Sequence, residues 1–170
     1  KPDFEIPAQY VLSTIHRAEN TDDNNKLSDI FNGLIKISSS VPVIMPVHPR
    51  TRKIILKSKI KDRISSSGIK FTDPVGYLEM IYLIANSKCV MTDSGGLQKE
   101  AFFHKKPCIT LREETEWKEL EENGYNKVVG SEPEKIIKAY FDLDTFKKNY
   151  DQNFYGDGKA SERIVKLLLQ

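Results

Sequence analysis

Lys88-Cys89-Val90-Met91-Thr92-Asp93-Ser94-Gly95-Gly96-Leu97-Gln98-Lys99-Glu100 changes character twice within a few residues. A short apolar run from Lys88 to Thr92 reads as a buried strand, and Leu97, Ala101 and Phe102 keep a helical period. Between them two glycines permit close backbone approach. The segment is therefore strand, tight turn, helix. In open α/β sheets ligands bind beyond the carboxyl ends of the strands. The free amides and positive dipole end of such a helix favour a phosphate or pyrophosphate, and the Ser94 hydroxyl can add a donor. Glu100 lies four residues beyond Gly96 and leans toward the helix start. A carboxylate there would repel phosphate, so its expected partners are the sugar hydroxyls of a nucleotide. Taken alone, the pattern equally fits a Gly-Gly turn capped by Asp93 or Ser94, with a solvated Glu100.

Outward from this segment the same alternation recurs. Tyr10–Ile15, Val41–Val47, Ile69–Phe71, Cys108–Leu111 and Lys127–Val129 are short, apolar and rich in β-branched residues, as in a parallel sheet covered on both faces. Helical periods run through Leu27–Ile37, Leu78–Ala85 and Ile136–Tyr140. Ser28 or Asn24 is a candidate cap for the first, and Ser131 or Glu132 precedes Pro133 at the start of another. The expected fold class is α/β, a Rossmann-like, doubly wound parallel sheet with helices on both faces. After residue 142 the strands stop. Leu143–Tyr150 reads as helical, Asn153–Gly158 as a turn cluster and Ala160–Leu169 as a final helix. Residues 1–8, with two prolines and no period, read as a linker remnant, 9–142 as the main domain and 143–170 as a carboxyl-terminal helical segment.

At 170 residues the chain has the length of one domain, by the usual prior of about 150 per domain. Its 26 basic and 24 acidic residues leave a charge of +2, which gives no warrant for nucleic acid or an anionic membrane as partner. No apolar run approaches the ~18–20 residues of a membrane span. Two cysteines, Cys89 and Cys108, each in an apolar run, read as buried free thiols, and the expected compartment is the cytoplasm. No metal-ligand spacing, P-loop lysine or Gly-x-Gly-x-x-Gly occurs, so no metal and no cofactor is expected.

Three further polar clusters follow strands. His16, Arg17 and Glu19 come directly after the first; the His-Arg pair could hold a leaving diphosphate, or Arg17 and Glu19 could form a surface pair. His48-Pro49-Arg50 follows the second, with a solubilising helix start as the plainer reading. Arg112 closes the fifth strand, ahead of Thr115, Glu116 and the single tryptophan, Trp117, which lines a pocket or packs in the core.

Thr14-Ile15-His16-Arg17-Ala18-Glu19-Asn20, Val47-His48-Pro49, Thr92–Ala101, Leu111–Glu116 and Tyr155-Gly156-Asp157-Gly158-Lys159-Ala160 occur in this order. Together they resemble the carboxyl-terminal half of the non-hydrolysing UDP-N-acetylglucosamine 2-epimerases, from about Gln9 onward. The resemblance implies the second half of a glycosyltransferase-B-type architecture, in which two Rossmann-like domains face across a cleft. On this reading the chain is an excised domain. Ser94, Gly95 and Gly96 would then bind the UDP phosphates, Glu100 the ribose, backbone near Met80 the uracil, and Arg112 the nucleotide. His16, Arg17 and Glu19 would serve catalysis at the diphosphate, and His48, Thr115 and Glu116 would border the sugar.

The implied reaction inverts C2 of a UDP-sugar by elimination of UDP to a glycal and re-addition. Its acid–base carboxylates belong to the missing amino-terminal domain, so this chain alone is expected to bind but not turn over. The implied partners are a UDP-sugar, that domain and, for the complete enzyme, a second copy in a homodimer. Three departures stand out. Thr115-Glu116-Trp117-Lys118-Glu119 replaces Thr-Glu-Arg-Pro-Glu, as in members acting on diacetamido-hexuronates; Phe154 replaces a proline; and His48-Pro49-Arg50 replaces the His-x-Asn of allosterically regulated members. The competing classes are the donor half of a glycosyltransferase and a non-catalytic flavodoxin-like module. An apolar face on the last helix (Ile164, Val165, Leu167, Leu168) would leave the isolated chain prone to self-association.

Overall fold

Six short apolar runs pair in one all-parallel sheet: β1 (Val11–Thr14), β2 (Val43–Pro46), β3 (Ile69–Thr72), β4 (Cys89–Thr92), β5 (Cys108–Thr110) and β6 (Asn126–Val128). The computed structural model describes residues 1–169. The strand order is β3-β2-β1-β4-β5-β6, with Val11 opposite Val43 on one side of β1 and Cys89 on the other. The connecting helices are α1 (Ala18–Thr21), α2 (Asn24–Ser38), α3 (Pro49–Lys57), α4 (Lys61–Ser65), α5 (Tyr77–Asn86), α6 (Gly95–Phe103), α7 (Lys118–Glu122) and α8 (Pro133–Phe141), with α9 (Ala160–Leu168) at the end.

Side chains alternate between the faces of a strand, which divides the core in two. Val11, Val43, Met45, Cys89, Met91 and Ile109 pack with Leu27, Phe31 and Leu34 of α2 and Ile136 of α8. Leu12, Ile44, Val90 and Cys108 pack on the opposite face with Leu83 and Ile84 of α5 and Ala101 of α6. The helices α2 and α8 lie so close that a β-carbon on Gly33 would come 3.1 Å from Ile136. Phe4 and Ile6 of the opening segment pack on the second cluster. Cys89 and Cys108 are free and buried; burial pushes both thiols up, Cys108 to about 12.

The Rossmann-like α/β expectation holds, and two local expectations are corrected. The α2 cap is Asp23 rather than Ser28 or Asn24; its carboxylate accepts from the Asn25 and Lys26 amides at 2.9 and 3.2 Å. Leu143–Tyr150 is not a helix: a 3-10 turn spans Leu143–Thr145, and the chain then runs on without regular structure. Its backbone groups bond outside the segment, Lys147 N–H to the Gly124 carbonyl and the Asn149 carbonyl to the Tyr125 hydroxyl. Phe146 drops into the core. The last helix forms where expected, and every described residue in it is exposed.

Candidate nucleotide site at the sheet switch point

The strand order reverses at the β1–β4 pair, the place where an open sheet leaves a crevice beyond its carboxyl ends. The loops that leave these two strands carry His16-Arg17 and Asp93-Ser94-Gly95. They are joined by Asp93, which is wholly buried. A buried carboxylate without partners is strongly destabilising, so its donors matter. It accepts from the backbone N–H of His16 (3.0 and 3.1 Å), from that of Arg17 (2.9 Å) and from the Asn20 amide (3.1 Å). Asn20 also donates to the Leu111 carbonyl at 2.9 Å, which ties in the end of β5. Beneath them the paired hydroxyls of Thr14 and Thr92 lie 2.7 Å apart, and Thr92 Oγ1 accepts from the Ser94 amide.

Ser94 caps α6, its hydroxyl accepting from Leu97 N–H. Gly95 and Gly96 follow as the first helical residues, whose N–H groups have no carbonyl within the helix to bond. The two glycines differ in what surrounds them. A β-carbon on Gly95 would lie 3.3 Å from Glu116 Oε2, 3.6 Å from Trp117 Nε1 and 3.8 Å from Arg17 Nη2. On Gly96 it would meet only Ser94 Oγ, at 3.8 Å. The space on the β-carbon side of Gly95 is thus filled by the protein itself, and that side of Gly96 is open.

Beside the turn, a cleft of about 270 Å³ is lined by His16, His48, Met80, Val75 and Leu97, among others. His16 Nδ1 lies 3.3 Å from Asp93 Oδ1, so the ring is oriented from behind and Nε2 is the nitrogen without a protein partner among the described residues. His48 caps α3, its Nδ1 accepting from Arg50 N–H at 3.2 Å. The Arg50 guanidinium grips Asp22 at 2.6 and 2.8 Å.

The charged residues sort differently from the sequence expectation. Arg17 and Glu19 do not pair with each other. Glu19 accepts from Arg112 Nε at 2.6 Å, and Glu116 accepts from Arg112 Nη1 at 2.7 Å while lying 3.8 Å from Arg17 Nη2. The Arg112 hydrogen bond holds the Glu116 carboxyl below its ordinary range, and the same bond raises Arg112 against the effect of burial. Arg112 therefore stands as a brace between two carboxylates, and the half-exposed Arg17 is the more available cation. Thr115 is buried, and its hydroxyl donates to Gln98 Oε1 at 2.6 Å, so it faces inward rather than onto the cleft. Glu100, one turn along α6, accepts from the Tyr77 hydroxyl at 3.2 Å and raises that phenol's pKa.

The structure thus gathers His16, His48 and Met80 at the cleft and Ser94, Gly95, Gly96 and Arg17 beside it. It gathers Glu19, Arg112 and Glu116 in a brace behind. Sequence reasoning left Asn20 without a role and read Asp93 only as a possible cap. An acid at the end of an apolar strand was the available signal, because a buried carboxylate must find donors. Among the described residues, no three His, Cys, Asp or Glu are placed to hold a metal ion, and no helix is long and apolar enough to cross a membrane.

The model of the UDP-N-acetylglucosamine 2-epimerase family matches residues 3–169. The chain belongs to that family. It is 47% identical over 161 residues to a UDP-N-acetylglucosamine 2-epimerase homolog of Methanococcus maripaludis, a match that covers 94% of this chain and 44% of that protein. It is 45% identical to the UDP-2,3-diacetamido-2,3-dideoxy-D-glucuronate 2-epimerase of Pseudomonas aeruginosa, again over 94% of this chain and 44% of the relative. The fold matches the Methanocaldococcus jannaschii UDP-GlcNAc 2-epimerase, solved with UDP-GlcNAc and UDP, at a TM-score of 0.87 and 43% identity. That match covers 95% of this chain and 45% of the other. The chain spans under half the length of the curated epimerases it matches.

Proposed function

We propose that this chain is the UDP-binding, carboxyl-terminal half of a two-domain epimerase that inverts C2 of a UDP-linked 2-acetamido sugar. The observation that carries the reading is the Asp93 clamp. One carboxylate fixes the His16-Arg17 loop, and the very next residues open the amino terminus of α6. A diphosphate seated on Gly95 and Gly96 meets unbonded amides and the positive helix end. Glu100 lies one turn further along α6, and Met80 lines the cleft; on this reading Glu100 accepts from the ribose hydroxyls and Met80 borders the base.

In the reaction, a base removes the proton from C2 while the C1–O bond to the diphosphate breaks, giving UDP and a glycal. Re-protonation of C2 from the other face and re-formation of the C1–O bond give the epimer. This half steadies the departing diphosphate: the α6 amides and Arg17 stabilise its charge, and His16, oriented by Asp93, faces it from the cleft. The acid–base carboxylates come from the other half, with which residues 9–142 share the cleft; of the carboxyl-terminal segment 143–170, the part up to Tyr155 packs on this domain and α9 extends from it. The complete enzyme works as a homodimer in the cytoplasm.

The test is C2 exchange. The chain joined to its amino-terminal half, given UDP-N-acetylglucosamine in deuterium oxide with no acceptor, is expected to place deuterium at C2 and to release traces of UDP and glycal. The isolated chain is expected to bind UDP without exchange. Sugar transfer to an added acceptor with no exchange at C2 would make the chain a glycosyltransferase half instead.

A further inference from the structure

The single tryptophan reaches the phosphate turn from behind. Trp117 Nε1 donates to the Gly95 carbonyl at 2.8 Å. In a trans peptide the carbonyl and the following N–H point in opposite directions. Holding the Gly95 carbonyl on the indole therefore turns the Gly96 N–H away from Trp117, and Gly96 is the exposed glycine of the pair.

The indole is itself held on several sides. Its backbone N–H donates to Thr115 Oγ1 at 3.1 Å, and Thr115 is anchored on the buried Gln98. Tyr155 meets the ring edge-on, with centroids 5.9 Å apart and an interplanar angle of 88°. The Lys99 ammonium sits 4.4 Å from the Trp117 centroid and 4.2 Å from that of Tyr155, a double cation–π contact. One ring thus fixes a backbone amide and parks a cation on the first turns of the same helix.

We propose that Trp117 is a positioning residue for the diphosphate, acting through the Gly95 carbonyl to present the Gly96 amide. The inference rests on the nucleotide reading above and adds to it the residue that sets the shape of the phosphate turn. It separates the phosphates from the rest of the ligand: Trp117 contributes to UDP binding and not to uridine binding.

The test is calorimetric titration of the whole chain and of Trp117→Phe with UDP and with uridine. Phenylalanine keeps an aromatic ring beside Tyr155 and Lys99 and deletes the indole N–H. The UDP affinity of Trp117→Phe is expected to fall about tenfold, the scale of one lost hydrogen bond, with uridine affinity changed by less than about twofold. A second measurement needs no substitution: UDP, and not uridine, shifts the emission of the single tryptophan. Parallel loss of UDP and uridine affinity would overturn the inference by making Trp117 a packing residue. An unchanged UDP affinity, or an emission unmoved by UDP that calorimetry shows to be bound, would overturn it alone. Failure of the unsubstituted chain to bind either ligand would overturn the nucleotide reading and this inference with it.

Discussion

The switch-point edge and the carboxyl-terminal segment both carry motif strings, and they are built in opposite ways. At the edge, one buried carboxylate accepts from three donors that follow β1, the His16 and Arg17 amides and the Asn20 side chain of α1, and holds together two strand ends far apart in sequence. In the tail, Gly156 and Gly158 adopt positive φ with nothing near them, and α9 leaves Ile164, Val165, Leu167 and Leu168 between 53% and 79% exposed. The edge is fixed by tertiary bonds that no local pattern announces. Beyond Tyr155, which still packs edge-on against Trp117, the tail is local structure alone. Periodicity says that a helix has an apolar face; only a partner says that the face is covered.

The sharpest way to break this contrast is to remove the clamp. Asp93→Ala strands the His16, Arg17 and Asn20 donors in a buried place, and a loss of about 3 kcal/mol or more in urea unfolding is expected. A loss under about 1 kcal/mol would show that the clamp is incidental. The two glycines sharpen the contrast within the edge itself. Gly96→Ala, with open space around it, is expected to leave the melting temperature unchanged or slightly higher while UDP affinity falls about tenfold. Gly95→Ala presses on Glu116 and Trp117, so about 1 kcal/mol of stability should go as well. If both variants melt alike and bind alike, the turn does not seat the phosphates.

Removing residues 160–170 probes the other side of the comparison. Because every described residue of α9 is exposed, the free energy of unfolding is expected to change by less than about 1 kcal/mol. A larger loss would mean that the helix contributes to the domain. The smallest effect belongs to the brace. Arg112 depresses the Glu116 carboxyl, so the contribution of that pair is present above the ordinary glutamate range and lost as pH falls through the lowered value. Glu116→Gln should therefore flatten the acid side of a melting-temperature profile and leave its neutral side nearly in place. An unaltered acid limb would count against the bridge.

The sheet was legible in the sequence because its four inner strands, buried on both faces, are largely apolar; the edge strands β3 and β6 are only partly buried, and all six runs overlap the stretches the pattern gives. The phosphate turn was legible for a local reason as well: strand end, Ser94 cap, glycines and helix are consecutive. The role of Asp93 was not, because its donors lie 73 to 77 residues away. Nor was the charge pairing. Glu19 sits two positions from Arg17 in the chain, yet it bonds Arg112, 93 residues on, because the end of β5 brings a second guanidinium beside it. Leu143–Tyr150 misled for the converse reason. Its composition suits a helix, but its backbone bonds to Gly124 and Tyr125 replace helical ones.

The most direct measurement is calorimetric titration of this chain with UDP, with CDP and ADP as controls and Gly96→Ala as the variant. UDP binding that exceeds both controls and weakens in Gly96→Ala is the predicted result. Equal affinity for all three nucleotides, or none for any of them, would contradict a uridine diphosphate site at the β1–β4 switch point.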